Sequence, residues 1–201
     1  MHQTSHAASA ELTEAAREAA SRLRRGAVIA YPTEAVWGLG ADPANQHACL
    51  RLLQIKGRSV EKGMILVAAS LVQIEPLLAP LSDAQRECLA AGWASQAAAG
   101  PLTFLVPDLL SQVPPWVKGK HPAVALRVSD HIAVKALCEA FGAPLVSTSA
   151  NPAGLPPART RQEVEQTLGN QIDYIMAGAV GTARQPSRIV DLLTGKEVRP
   201  G

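Results

Sequence analysis

The sequence predicts a single α/β domain in which helices flank a twisted mixed β-sheet. Three observations point to it: short apolar runs alternate with helical patterns, the alternation lacks strict βαβ regularity, and no repeat, linker or change of composition divides the chain. The 201 residues suffice for one compact core without a disulfide or metal staple. Hydrophobic residues make up 47% and charged residues 18%, which excludes intrinsic disorder.

The domain is expected to cover residues 10–201, after a flexible N-terminal tail at 1–9. Its first predicted helix spans residues 10–25, with Ser9 as N-cap, acidic residues in the first turn and arginines in the last. Apolar runs predict strands at 27–31, 64–68, 102–106, 123–128, 144–148, 172–176, 187–193 and 196–199.

Capping residues place the remaining helices. A helix at 45–56 ends before a Gly-containing turn, and capping boxes at 82–85 and 160–163 open two more. Asp130 is predicted to cap a helix that runs to Gly142.

Composition and motifs exclude several function classes. Aromatic residues make up 3% of the chain, too few for platforms that stack single-stranded nucleic acid. No apolar run approaches the ~18 residues that span a bilayer, and the N-terminus lacks the pattern of a secretory signal, so we expect a cytoplasmic protein. Gly38-Leu39-Gly40 is half of a dinucleotide fingerprint, and no P-loop occurs.

An odd number of widely spaced cysteines indicates buried free thiols at Cys49, Cys88 and Cys138.

Polar residues gather at four predicted strand or helix ends, where α/β sheets place their ligands. They are Pro32-Thr33-Glu34, Lys56-Gly57-Arg58, Arg127, and Ser147-Thr148-Ser149-Ala150-Asn151. Taken singly, turn building, capping and the helix dipole explain each of them. Taken together, they predict a pocket for an anionic, phosphorylated ligand, and Arg127 should be matched by an anion. Because no Ser–His–Asp or Cys–His set presents itself, we expect catalysis by positioning and electrostatics.

Six segments resemble, in the right order, the YrdC/TsaC-type threonylcarbamoyl-AMP synthases. The combination of PTE, KxR, STSAN and PS-x-I-x-D is highly specific. The resemblance implies a twisted α/β sheet with a concave basic face, and the chain ends as the short, bacterial-type form does. The segments are YPTEAVWGLGAD (31–42), LLQIKGRSVEKGMILVAA (52–69), GPLTFLVP (100–107), ALRVSDH (125–131), PLVSTSANPAGLPPARTRQEV (144–164) and QPSRIVDLLTGKEVRPG (185–201).

The resemblance implies a nucleotidyltransferase that joins L-threonine, bicarbonate or carbon dioxide, and ATP. Its products would be threonylcarbamoyl-adenylate and pyrophosphate, and a partner transferase complex would carry the threonylcarbamoyl group to the adenosine beside the anticodon of tRNA. Mg²⁺ would accompany ATP, held by phosphate oxygens and water, because no cluster of carboxylates offers a protein cage.

The same resemblance assigns ten side chains to this reaction. Lys56 and Arg58 would be the catalytic cations. Threonine or its carbamate would be held by Thr33, Arg127, Ser147 and Ser187. ATP would be held by Lys56, Arg58, Thr103, Ser149, Asn151 and Arg199.

One segment departs from the family pattern. Ala94–Ala99 stand where the family usually has a single proline. We interpret this stretch as a surface insertion at the edge of the pocket.

Two other functions stay open. A non-catalytic RNA-binding or ribosome-maturation factor would hold double-stranded RNA or tRNA on a basic rim, although the net charge of +2 is mild. A carbamoyl-adenylate-forming domain, like that of hydrogenase-maturation carbamoyltransferases, ranks last because the sequence lacks their acylphosphatase and Cys-rich segments. The basic rim consists of Arg22, Arg24, Arg25, Lys118, Lys120, Arg159, Arg161 and Arg184.

Overall fold

The computed structural model describes the backbone of residues 2–201 and the side chains of residues 10–201. The helices are α1 (His2–Arg24), α2 (Gln46–Lys56), a 3₁₀ turn (Val60–Lys62), α3 (Leu71–Leu78), α4 (Asp83–Ala94), α5 (Gln96–Ala99), α6 (Pro115–Lys118), α7 (Ile132–Phe141) and α8 (Arg161–Leu168). The strands are β1 (Ile29–Pro32), β2 (Trp37–Ala41), β3 (Ile65–Ala68), β4 (Leu102–Pro107), β5 (Ala123–Val128), β6 (Leu145–Ser149), β7 (Tyr174–Ile175), β8 (Arg188–Asp191) and β9 (Glu197–Arg199).

The strands form one mixed sheet in the order β7-β1-β2-β6-β3-β5-β4-β8-β9. Three neighbouring pairs are parallel (β1 with β7, β3 with β5, β4 with β8), and the other pairs are antiparallel. The predicted fold class, a single α/β domain with a mixed sheet and flanking helices, is therefore confirmed.

Helices cover the two faces of the sheet unequally. On one face, α2, α3, α4 and α8 pack against the strands and form the larger core, which includes Leu52, Leu66 and Leu126. On the other face, α1 and α7 cover one part of the sheet around Val67. Ile65, two residues before Val67 on the same strand, points to that second face but lies beyond the helix pair. The uncovered part of the sheet is the floor of a cavity.

Local sequence signals explain most helix ends. Asn45 caps α2 by accepting a hydrogen bond from the Ala48 amide, and Gly57 ends that helix in the left-handed conformation. Both predicted capping boxes are present, at Ser82 with Gln85 and at Thr160 with Glu163.

Two predicted caps are wrong. The backbone is helical from His2, so Ser9 lies inside α1 rather than at its start. The flexible tail at 1–9 stays a prediction, because the side chains of these residues lie outside the described part of the chain. Asp130 does not cap α7: the N-cap position is His131, and no side chain caps the helix there.

The sequence prediction lacks three short elements, namely the 3₁₀ turn, α5 and α6, and two further ones, β2 and α3. The strand β2 contains two glycines, which remove the apolar pattern by which strands are predicted. The helix α3 contains Pro76, which argues against a helix in sequence-based reasoning.

The cysteines are free thiols. Cys49 and Cys138 are buried, as predicted, whereas the prediction is wrong for Cys88, which is exposed. Among the helices that the structure describes, none has the length and apolar character needed to cross a membrane.

Candidate active site

A cavity of about 470 Å³ lies over the uncovered part of the sheet. Seven of the ten predicted site residues line it, namely Thr33, Arg58, Arg127, Ser147, Ser149, Ser187 and Arg199. The other three, Lys56, Thr103 and Asn151, are not part of its lining.

The cavity occupies a face of the sheet rather than the space beyond the strand ends, which corrects the expected location. The strand β6 runs through Ser149, so Ser147 lies within it and is paired with Ile65 of β3. Arg127 lies within β5 and is paired with Val67. Because paired residues point to the same face, the sheet itself aims these polar side chains into the cavity.

Arg127 is matched by an anion of the same chain. Arg127 Nη2 and Glu34 Oε2 are in direct ionic contact, and Ser129 Oγ donates to Glu34 Oε1 at 2.7 Å. Burial alone would raise the pKa of Glu34, but the charge of Arg127 and the Ser129 hydrogen bond outweigh it and hold that pKa below its usual range. Arg127 Nη2 is engaged by Glu34, whereas Arg127 Nε is buried and has no hydrogen-bond acceptor among the described residues. The guanidinium thus retains a donor for a bound anion.

The Tyr31 hydroxyl reaches the cavity floor from β1. Tyr31 Oη donates to Ser147 Oγ at 2.6 Å, although β2 lies between β1 and β6. A Cβ added to Gly40 would lie 2.8 Å from the Tyr31 ring, and one added to Gly38 would lie 3.3 Å from it. The two glycines of β2 therefore let the ring cross that strand, and the fingerprint-like spacing of Gly38 and Gly40 has this structural cause.

Lys56 is bound to its own chain. Its Nζ donates to Ser149 O at 2.5 Å, to Asn151 O at 2.8 Å and to Asn151 Oδ1 at 3.0 Å. An ammonium group has three donors, so these contacts use all of them. Burial, followed by the charge of Arg58, lowers the pKa of Lys56 to about 8. Lys56 thus ties α2 to the segment after β6.

Arg58 enters the cavity from a loop that is held by two close backbone contacts. A Cβ on Gly63 would lie 2.6 Å from Lys118 O, and a Cβ on Gly119 would lie 2.3 Å from Glu61 O. Both glycines also have positive φ angles, so other residues would be strained there. Arg58 Nη2 donates to Gly63 O at 2.9 Å, while Arg58 Nε has no acceptor in the described chain.

Ser187 and Arg199 form the opposite wall. Thr103 Oγ1 and Ser187 Oγ are 2.8 Å apart, and Arg199 Nη2 donates to Ser187 O at 2.5 Å. Thr103 is fully buried and lies behind Ser187 rather than on the cavity surface. Burial, then the charges of Arg127 and Arg58, lower the pKa of Arg199. Three cations therefore converge on one space, which favours an anionic occupant.

Asp191 is the one acidic residue in the cavity lining of the described chain. Its Oδ1 accepts hydrogen bonds from the Leu193 and Thr194 amides, so it holds the turn between β8 and β9. Within the described residues, no group of three or more His, Cys, Asp or Glu side chains is arranged for a metal ion. The donor set suits the phosphates of a metal–nucleotide complex better than a bare cation.

The segment Ala94–Ala99 is exposed except at Gln96, whose buried side chain anchors it. None of its residues lines the cavity. Gln96 is buried: its Nε2 donates to Val128 O at 2.9 Å, and its Oε1 accepts from the Leu102 amide at 2.9 Å. The segment therefore joins the end of β5 to the start of β4, and the cavity lining begins two residues after it, at Pro101, so its location at the pocket's edge stays a prediction.

Half of the basic rim is paired with carboxylates. Arg22 pairs with Glu18, Lys118 with Asp108, Lys120 with Glu61, and Arg161 with Glu165. These contacts partly neutralise the rim, and a continuous basic face stays a prediction.

Four polar residues at the site are absent from the ten side chains that the resemblance assigns, although Glu34 and Lys118 are named in the sequence prediction, in the PTE motif and in the basic rim. Lys62, Lys118 and His121 line the cavity, and Glu34 pairs with Arg127. Glu34 is the last residue of the PTE motif, so the sequence does contain a signal for it. Lys62 lies close to the KxR motif in sequence, whereas nothing local marks Lys118 or His121.

Comparison with known proteins gives one consistent result. A family model for Sua5, YciO and YrdC proteins, described as "Telomere recombination", matches residues 21–201. The chain is 55% identical over 174 residues to a protein of Marinobacter nauticus named threonylcarbamoyl-AMP synthase, covering 87% of this chain and 89% of that protein. A protein of Cellvibrio japonicus with the same name is 52% identical over 182 residues, covering 90% of this chain and 93% of that protein.

Solved structures agree with the sequence match. P. abyssi Sua5, solved in complex with L-threonine, superimposes with a TM-score of 0.79 at 31% identity over 90% of this chain. The present chain spans 52% of that longer protein. E. coli YciO superimposes with a TM-score of 0.74 at 23% identity, over 94% of this chain and 91% of YciO, which shows the shared fold. The chain therefore belongs to the Sua5/YciO/YrdC family.

Proposed function

We propose that this protein is a threonylcarbamoyl-AMP synthase, which joins L-threonine, bicarbonate or carbon dioxide, and ATP with release of pyrophosphate. The observation that carries the proposal is the convergence of Arg58, Arg127 and Arg199 on one cavity with three serine hydroxyls. This donor set suits two anionic substrates, and relatives at 55% and 52% identity bear the same name.

The threonine end of the site would lie around Arg127 and Ser147. Arg127, which lines the cavity beside its ion pair with Glu34, would donate to the carboxylate of threonine or to its carbamate, and Ser147 would offer a hydroxyl. Thr33 Oγ1 donates to Val36 O at 2.7 Å, so its oxygen is left to accept a hydrogen bond from the amino acid. Ser187, held by Thr103 and Arg199, would complete this end.

The nucleotide end would lie around Arg58, Ser149 and Arg199, which all line the cavity. Arg58 Nε, buried without an acceptor, is available to a phosphate oxygen. Lys56 and Asn151 would act indirectly, because the Lys56 ammonium fixes the backbone of both Ser149 and Asn151. Thr103 would likewise act through Ser187.

The chemistry needs alignment rather than a protein nucleophile. The amine of threonine would add to carbon dioxide and lose a proton to solvent, which gives a carbamate, or it would condense with bicarbonate and release water. A carbamate oxygen would then attack the α-phosphorus of ATP, and the bond from that phosphorus to the bridging oxygen of pyrophosphate would break. The arginines would reduce the repulsion between the two anions and stabilise the charge that develops on pyrophosphate. Mg²⁺ would enter with ATP and neutralise phosphate charge.

The adenylate would then be used by a transferase that modifies tRNA beside the anticodon, in the cytoplasm. Binding of tRNA or double-stranded RNA to the basic rim belongs to the same proposal as a separate, testable property. A purely RNA-binding function would leave the convergence of three arginines on one cavity unexplained.

The test is a pyrophosphate-release assay with ATP, Mg²⁺, bicarbonate and each amino acid in turn. Release should require both threonine and bicarbonate, and serine should substitute poorly, because one methyl group discriminates by about 1–3 kcal/mol. Equal release with unrelated amino acids, or none with threonine, would contradict the proposal. A control reaction without bicarbonate separates carbamate formation from simple aminoacyl-adenylate formation.

A further inference from the structure

We infer that Tyr31 is a positioning residue for the proposed reaction: its hydroxyl fixes Ser147 as a hydrogen-bond donor towards the bound threonine or carbamate. The inference deepens the proposed function and rests on it. Its physical basis is the direction of the hydrogen bond between the two hydroxyl groups.

The first step is the assignment of the donor. Tyr31 is fully buried, and its Oη lies 2.6 Å from Ser147 Oγ, to which it donates. Burial, only partly offset by the Ser147 hydrogen bond, raises the pKa of Tyr31 well above its usual value. The phenol therefore stays protonated at neutral pH and has a proton to donate.

The second step concerns the proton of Ser147. A serine hydroxyl has one proton and two lone pairs, and the Tyr31 hydrogen bond occupies one lone pair. Ser147 lines the cavity, and its hydroxyl makes no other hydrogen bond with the described residues. The proton is thus left for an acceptor inside the cavity. Two hydroxyls in sequence also polarise one another, which strengthens the outer donor.

The third step is the architecture that makes this contact possible. Tyr31 is on β1 and Ser147 on β6, with β2 between them. The ring crosses β2 over Gly38 and Gly40, where any Cβ would lie within about 3.3 Å of it. The glycines make room for the ring, and the hydroxyl at its tip then reaches Ser147.

A double-mutant cycle of threonine binding tests the inference with four proteins: the unaltered chain, Tyr31→Phe, Ser147→Ala and the double variant. Calorimetric titration gives the dissociation constant for threonine of each. Tyr31→Phe should weaken threonine binding by about three- to ten-fold, because Ser147 then loses its fixed orientation. In the Ser147→Ala background the same change should have no effect on threonine binding, since no hydroxyl remains to be oriented.

Two controls separate positioning from loss of structure. Tyr174→Phe removes the hydroxyl of the only other tyrosine, which lies against Arg22 and does not line the cavity, and it should leave threonine binding unchanged. Gly40→Ala places a methyl group against the Tyr31 ring and should weaken threonine binding as Tyr31→Phe does. Thermal unfolding of every variant shows whether it is folded at the titration temperature.

The outcomes distinguish the inference from the proposed function. If Tyr31→Phe weakens threonine binding equally with and without the Ser147 hydroxyl, or has no effect in the unaltered chain, the inference is overturned while the enzyme assignment stands. If the unaltered chain neither binds threonine nor releases pyrophosphate with it, the proposed function itself fails.

Discussion

Glu34 and Arg127 form an ion pair on the wall of the candidate active site, with only 16% and 12% of their side-chain surfaces exposed. Because both side chains are largely buried, removing one of them would leave the other charge without its counter-ion and with too little water to solvate it. The same arginine is expected to hold threonine, so stability and substrate binding share one side chain. Substitution of Arg127 should therefore affect both, and a compensating substitution of Glu34 separates the effect on stability from the effect on threonine binding.

Arg127→Ala should lower the free energy of unfolding by about 3 kcal/mol, because Glu34 would remain buried without its counter-ion. The double variant Arg127→Ala with Glu34→Gln should recover part of that loss but none of the threonine affinity. Urea unfolding and calorimetric titration measure the two quantities. An unchanged free energy of unfolding in Arg127→Ala would show that water solvates Glu34 when Arg127 is absent. If Arg127→Ala weakened ATP binding and spared threonine, the assigned role of Arg127 would be wrong.

Acid should destabilise the protein partly through Glu34. The pKa of Glu34 is lower in the folded protein than in the unfolded chain, so the unfolded state binds more protons once the pH falls below the ordinary carboxyl range. The stabilisation is complete at neutral pH and is lost as the pH falls through the folded pKa. Between about pH 5 and pH 3, Glu34→Gln should therefore lose less stability than the unaltered chain. The matched control is Glu165→Gln, at an exposed ion pair with Arg161, which should follow the unaltered chain.

Lys56 and Arg58 should respond differently to the same substitution. Lys56→Met removes three hydrogen bonds to Ser149 and Asn151, so it should lower both unfolding free energy, by about 1–3 kcal/mol, and ATP affinity. Arg58→Met removes a cavity cation whose Nε lacks an acceptor, so it should weaken ATP binding by roughly ten-fold with a smaller loss of stability. Chemical unfolding and ATP titration of both variants give the comparison. Equal stability of Lys56→Met and the unaltered chain would assign Lys56 directly to the phosphates.

The stretch 94–99 should matter for stability and not for substrate affinity. Gln96→Ala leaves the Leu102 amide without its acceptor and should lower the unfolding free energy by about 1–3 kcal/mol. Ala97→Ser, at an exposed position of the same turn, is the control. Replacing residues 94–99 by one proline should keep threonine and ATP affinity within a few-fold, because none of these residues lines the cavity. A large loss of affinity in a folded variant would place the segment in the active site.

Sequence patterns predict those helices and strands whose signals lie within a few neighbouring residues. The apolar run of β3 and the two capping boxes are found where the sequence indicates them, because burial on both faces and N-cap chemistry leave marks within a few residues. The strand β2 escapes prediction because its glycines serve the Tyr31 ring rather than the strand's own packing.

The site was predictable as a set of residue types but not as a set of contacts. Arg127 was expected to meet an anion, yet only the fold brings Glu34 of the β1–β2 turn to β5. The resemblance implies that Lys56 holds phosphate, whereas in the folded chain its ammonium donates to three oxygen atoms of Ser149 and Asn151. Partners from distant segments depend on strand order and register, which short motifs do not specify.

The most direct test of the central claim is identification of the product. The protein would be incubated with ATP, Mg²⁺, L-threonine and ¹³C-bicarbonate. The adenylates would then be separated, and their masses determined by mass spectrometry. We expect an adenylate that contains both threonine and one carbon-13, formed together with pyrophosphate and absent when any of the three substrates is omitted. Pyrophosphate release that yields AMP or threonyl-adenylate without the labelled carbon would contradict it.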